Sequence, residues 1–106
     1  MRLILTPRAE EDIDSASAYL AREADIETAI RFFDSVYASC ETLVQSPLAG
    51  VEREFSNFSL GGVRMWFVSG FDRYLIFYRV TEEKMLIVRV LHSARDVEGQ
   101  LTDDEQ

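Results

Sequence analysis

The chain has 106 residues, 47% hydrophobic, 11% aromatic and 28% charged, which suits one folded domain and excludes a disordered tail. With 19 acidic residues against 11 basic, the formal net charge is −8, which argues against a protein whose main work is gripping a phosphate backbone. The single Cys40 excludes an internal disulfide and a zinc site built on a cysteine pair.

The first predicted element is a short strand over residues 2–5. Its apolar run, Leu3-Ile4-Leu5, is too short for a signal-peptide core, and no stretch approaches the roughly 20 apolar residues of a membrane span. A soluble cytoplasmic domain is the expectation. Thr6 then reads as a helix N-cap, with Pro7 at the first helical position where its missing N–H is harmless. Ala9, Ile13, Ala16, Tyr19 and Leu20 follow helical spacing, so a first helix is predicted over residues 7–22. Glu10, Glu11, Asp12 and Asp14 crowd its start, where they read as a capping and solvated face rather than a metal site. Asp25 caps a second predicted helix, whose apolar face is Ala29, Phe32, Phe33, Val36, Cys40, Leu43 and Val44, ending near Ser46 before Pro47. The short link makes the pair an antiparallel hairpin.

Between Pro47 and Gly62 the pattern breaks into a surface loop with room for a short strand. Three strands follow at 63–69, 73–80 and 85–92, joined by links short enough for an antiparallel meander. The expected fold class is therefore α+β, with one domain over residues 1–98 and an acidic, flexible tail over 99–106.

Both faces of the predicted sheet are apolar. Tyr74, Ile76, Tyr78 and Val80 point one way and Leu75 and Phe77 the other; Leu86, Val88 and Val90 are expected to oppose Met85, Ile87 and Leu91. Two helices on one hairpin cover only one face. The second calls for the 47–62 loop, the C-terminal tail, a second copy or a partner protein.

Few residues suggest chemistry. His92 is the only histidine and the natural acid/base candidate, but a structural hydrogen bond at a strand end explains it as well. Ser93 beside it is no triad signal, and Arg95 and Asp96 suit pairing with each other or with a partner. Cys40 lies on an apolar helix face and reads as inert. No glycine-rich phosphate loop follows a strand. Of the 11 basic residues only Lys84 is lysine, a bias towards planar pairing with carboxylates. Arg64, Arg73, Arg79 and Arg89 are spread over the three strands; Arg64 and Arg89 break otherwise apolar patterns and most need an explanation.

The ordered set of features resembles one family. A short strand, Thr6-Pro7 opening a helix with Ala9, Asp12 and Ile13, and a second helix with Ala29 and Phe33 come first. Leu43, Pro47, Gly50, Arg64 and Tyr74-Leu75-Ile76-Phe77-Tyr78-Arg79-Val80 follow, closed by Arg89-Val90-Leu91-His92-Ser93-Ala94-Arg95-Asp96. Over residues 2–98 this is similar to the RelE/ParE toxins of type II toxin–antitoxin systems. The resemblance implies a toxin neutralised in a hetero-oligomer by a cognate antitoxin, ParD-like or similar, whose extended or helical C-terminal segment wraps the toxin; it is expected to lie over the sheet and against the helical hairpin. It also implies one of two activities. RelE-like members cut messenger RNA in the ribosome with basic strand residues, an arginine after the last strand and a C-terminal tyrosine. ParE-like members are not nucleases, and those with a known target act on DNA gyrase.

The sequence departs from the ribonuclease pattern. Arg64 and Trp66 fall where a basic pair would stand, Leu75 replaces an arginine, and Leu101 falls near the expected tyrosine, while Arg95 matches. Stabilising a phosphorane-like charge needs several clustered cations or acid/base groups. The ParE-like branch is the better match: a binding protein with no catalytic residues, cofactor, metal, membrane contact or direct nucleic-acid contact expected. Its expected partner contacts are Arg64, Trp66, Leu75, Phe77, Arg79, Ile87 and Arg89, with His92, Arg95 and Asp96 expected to face the target. The alternatives are a ribosome-dependent nuclease using Arg64, His92 and Arg95, and a non-toxic binding module of the same fold.

Overall fold

A computed structural model describes residues 1–52, 62–94 and 100–101. The strands are β1 (Arg2–Leu5), β2 (Val51–Glu52), β3 (Arg64–Val68), β4 (Phe71–Val80) and β5 (Lys84–His92); the helices are α1 (Pro7–Glu23) and α2 (Ile26–Gln45). Arg95 and Asp96 lie outside the described residues, as do residues 53–61 of the predicted loop.

Both helix starts follow from their caps. The Thr6 hydroxyl accepts from the Ala9 N–H at 3.0 Å, and Asp25 Oδ1 accepts from the Thr28 N–H at 2.7 Å. The Thr28 hydrogen bonds hold the Asp25 carboxyl below its ordinary range. Thr6 also donates its hydroxyl to the Val88 carbonyl at 2.8 Å, and its N–H to the Ile87 carbonyl at 3.0 Å, so the cap of α1 is stitched to β5.

The sheet order is β1-β5-β4-β3-β2. The predicted meander of β3, β4 and β5 is antiparallel, and Val51–Glu52 supplies the short strand for which the loop had room. β1 runs parallel to β5, pairing Arg2 with Lys84 through Leu5 with Ile87, so the sheet is mixed rather than purely antiparallel. The α1–α2 hairpin lies within the crossover that a parallel neighbour requires.

One expected face assignment is corrected. Phe77 pairs with Arg89 but Tyr78 pairs with Ile87, so Val88 is an extra residue that bulges β5. The bulge reverses the alternation beyond it. Val90 therefore joins Met85 and Ile87 under the helices, while Val88 and Leu91 face the other way. Under the hairpin, Ala9, Ile13, Phe32, Val36, Cys40 and Leu43 pack on Val68, Ile76, Tyr78, Met85, Ile87 and Val90. Phe33, expected inside, is 42% exposed because Phe32 and Val36 fill the sheet-facing stripe of α2. On the second face Val63, Leu75, Phe77, Val88 and Leu91 form a cluster closed in part by Leu101, which is fully buried there.

Candidate functional site

The end of β5 and the start of α1 meet in the most polar buried contact among the described residues. Beyond Leu5, β1 no longer covers the outer edge of β5, leaving backbone donors without a strand neighbour. Asp12, one turn into α1, takes that place. Its Oδ2 accepts from the Val90 N–H at 3.0 Å and from Arg89 Nε at 2.6 Å, and its Oδ1 accepts from Arg89 Nη2 at 2.8 Å. Arg89 is 3% exposed and its Nη1 donates to the Gln100 carbonyl at 3.2 Å. The arginine that interrupts an apolar strand is thus held by a carboxylate read from sequence as part of a solvated helix face. The missed signal is chemical: a buried arginine needs a partner, and Asp12 sits one residue from the buried Ile13.

This contact floors a cleft of about 590 Å³ between α1 and the end of β5, lined among others by Tyr19, Arg22, Tyr74 and His92. His92 is half-buried; its Nδ1 accepts from the Ala94 N–H at 3.0 Å, and its ring stacks edge-on against Tyr74 with centroids 5.1 Å apart.

Arg64 also meets its own chain. Nη1 donates to the Gly50 carbonyl at 2.7 Å and to the Leu48 carbonyl at 3.4 Å, and Nη2 lies 3.9 Å from Glu52. Opposite it on β4, the Tyr78 hydroxyl accepts from the Gly50 N–H and donates to the Pro47 carbonyl, each at 2.9 Å. Arg64 and Tyr78 together clamp the turn that follows α2.

The residues expected to meet a partner do not share one surface. Ile87 lies in the core under the helices and Trp66 packs against that core, whereas Leu75 and Phe77 are buried on the second face. Arg79, half-buried, pairs across from Leu86. Arg64 and His92 are not brought together either. Their partners on β4 are Tyr78 and Tyr74, four residues apart, or about 13 Å of strand. The exposed apolar side chains lie elsewhere: Ile26, Ile30 and Phe33 run along the outer side of α2, and Phe67 and Val51 lie on β3 and β2. Sequence reasoning missed Ile26 and Ile30, although their spacing from Phe33 is helical.

Cys40 is fully buried, and burial pushes its thiol up to about 12, so it is a packing residue. Among the described residues no group of histidine, cysteine and acidic side chains could hold a metal ion, and no helix is long and apolar enough to cross a membrane.

The fold matches solved structures along most of its length. The structure described as the chromosomal ParDE TA system from P. aeruginosa superposes with a TM-score of 0.71 at 21% identity, covering 87% of this chain and 95% of that one. The YoeB/ParE toxin from Agrobacterium tumefaciens gives a TM-score of 0.58 at 15% identity, covering 87% and 98%. At these identities the likeness is one of fold. A search of curated proteins returns no match. The family model for the ParE toxin of the type II toxin–antitoxin system parDE matches residues 3–97, nearly the whole of the sheet and hairpin described above, and the chain belongs to that family.

Proposed function

We propose that this ParE-type toxin acts by binding a cellular protein, with DNA gyrase as the target implied by the resemblance, and that an antitoxin silences it. The observation that carries this reading is the employment of Arg64 and Arg89. The two arginines most in need of a role hold Gly50 and Asp12, and Arg64 lies far along the sheet from His92. A nuclease would need such cations clustered at a scissile phosphate. The exposed stripe of Ile26, Ile30 and Phe33 supports a partner on the outer side of the hairpin, because large apolar side chains in a row on a helix surface favour coverage. A short antitoxin segment with an apolar helical face suits it.

The test is induced expression with and without the neighbouring small reading frame, with messenger ends mapped and plasmid supercoiling followed. Growth arrest with intact messages, altered supercoiling and rescue by the neighbouring frame is the expected result. Codon-specific cleavage of messages that disappears on Arg95→Ala would overturn it.

A further inference from the structure

We propose that the outer edge of β1 is a contact between two copies of this chain, which pair antiparallel there and join their sheets into one. This goes beyond the toxin reading, since it assigns a surface and an occupant that toxin and antitoxin pairing leaves out.

The backbone sets the edge. β1 ends the sheet order, with β5 on one side and no strand among the described residues on the other. The Arg2 N–H donates to the Glu83 carbonyl at 2.9 Å and the Thr6 N–H to the Ile87 carbonyl at 3.0 Å, so residues 2, 4 and 6 turn their backbone groups towards β5. Alternation turns the N–H and carbonyl groups of Leu3 and Leu5 outward. A row of outward strand groups is a template for another strand, and proteins blunt it with a charge, a proline or a bulge. Leu3-Ile4-Leu5 has none of these, and its register with β5 is unbroken.

Register selects the occupant. The two outward residues stand two positions apart, so the same strand running the opposite way sets Leu3 against Leu5 of the other copy, and Leu5 against its Leu3. Each pair exchanges two N–H···O bonds about a twofold axis through Ile4. Pro7 lacks an N–H and ends the row of donors, so β1 offers one such match of its own length.

The side chains suit the same register. Leu3 and Leu5 are half-buried against the core under the helices, and pairing covers their open sides with the same two residues of the other copy. Ile4, also half-buried, takes the second face beside Leu86 and meets its own counterpart on the axis. Arg2, the one charge of β1, is exposed and comes level with Thr6 of the other copy, at a first helical turn where Glu10 and Glu11 outnumber Arg8. That is an attraction between copies of a chain whose net charge of −8 otherwise holds them apart. An axis normal to the sheet places both helix hairpins on one side and makes the two second faces continuous.

The experiment is sedimentation equilibrium of the full chain together with a cysteine scan of β1. A reversible monomer–dimer equilibrium is expected, with a midpoint of roughly 10–100 μM, because so short an edge makes a contact at the weak end of the size range. Ile4→Lys should raise that midpoint at least about tenfold by setting two ammonium groups on the axis, while Ile30→Asp, on α2, leaves it unchanged. Cys40 is buried, so an introduced cysteine is the ready thiol under mild oxidation. Partners that are not hydrogen-bonded across an antiparallel pair stand about 4.5 Å apart at Cα, within reach of a disulfide, so Ile4→Cys should cross-link fast. Arg2→Cys and Leu3→Cys, off the axis, should stay monomeric on non-reducing gels. Exchange of the Leu3 and Leu5 amides should slow as concentration rises. A chain that sediments as a monomer up to about 1 mM would overturn the proposal. So would a dimer lost on Ile30→Asp, cross-linking of Leu3→Cys in place of Ile4→Cys, or equal cross-linking of all three. None of these readouts depends on toxicity or on an antitoxin, so failure here is separate from failure of the toxin reading.

Discussion

Arg89 and Asp12, 77 residues apart in sequence, meet through two hydrogen bonds of 2.6 and 2.8 Å, and the same carboxylate also takes the Val90 N–H. The pair joins the first helix to the last strand where the sheet has run out of neighbouring strand. Removing one member leaves the other charge buried alone. Asp12→Ala is therefore expected to destabilise the fold by about 3–5 kcal/mol, and Asp12→Asn by about 1 kcal/mol less, because the amide oxygen still accepts from Val90. Replacing both residues with apolar ones, Asp12→Leu with Arg89→Met, should recover most of the loss. Urea unfolding of these proteins and of the single variants Asp12→Leu and Arg89→Met checks this, and additive losses in the double variant would refute it.

A second test concerns the clamp behind α2. A Cβ on Gly50 would overlap the hydroxyl and ring of Tyr78, although Gly50 has no positive φ. Gly50→Ala should cost about 1–3 kcal/mol through overpacking, and Tyr78→Phe about 1–2 kcal/mol through the lost hydrogen bonds to Gly50 and Pro47. With phenylalanine in place, the alanine at Gly50 meets fewer atoms, so the double variant should lose less than the sum. Thermal melts of the set measure the coupling.

The contrast between these two sites shows what could be read from sequence. Thr6, Pro7 and Asp25 announced the helix starts, because caps are local chemistry. The meander was legible from alternation within each strand. Alternation failed at Val88, since a bulge depends on how β4 and β5 pair and leaves no mark in β5 alone. The parallel pairing of β1 was hidden for the same reason: it joins residues at opposite ends of the chain. Arg64 and Arg89 stood out as exceptions to pattern, but their partners, a turn carbonyl and a helix carboxylate, are set by tertiary folding. Phe33 and Phe32 differ by one step of helical rotation, too little for spacing to assign one to the core and the other to the surface.

Alkaline pH probes the core beneath α2. Burial raises the Cys40 thiol from its ordinary 9.0 to about 12, and burial also raises Tyr78 above its ordinary 10.0. Both raised values lie in the folded state, so the unfolded chain loses these protons first. Stability is then complete below about pH 9 and falls as pH rises from 9.0 towards 12, by roughly 1.4 kcal/mol per pH unit for the thiol. Cys40→Ala should flatten this decline in urea midpoints measured between those limits. Thiol reagents at neutral pH should modify native Cys40 only as fast as the chain unfolds.

On the outer side of α2, a charge tests the proposed antitoxin contact. Ile30 is 56% exposed, so Ile30→Asp should change stability by less than about 0.5 kcal/mol, whereas Phe33→Asp should cost about 1 kcal/mol more because it also loses the ring contact with Tyr37. Copurification with the product of the neighbouring reading frame should fall at least about tenfold, as expected when a charge is forced into an apolar contact. Undiminished copurification would move the antitoxin off this side of the hairpin.

The parallel pairing of β1 with β5 also bears on how the molecule is made. A ribosome releases Arg2–Leu5 well before Lys84–Ile87, so β1 waits for a partner about 80 residues further along the chain. The two helices emerge in between with Ala9, Ile13, Phe32 and Val36 unburied, since Met85, Ile87 and Val90 do not yet exist to cover them. A nascent chain that stalls before β5 has neither the Asp12 contact nor a completed core. The sheet and the core therefore close only once β5 has been translated.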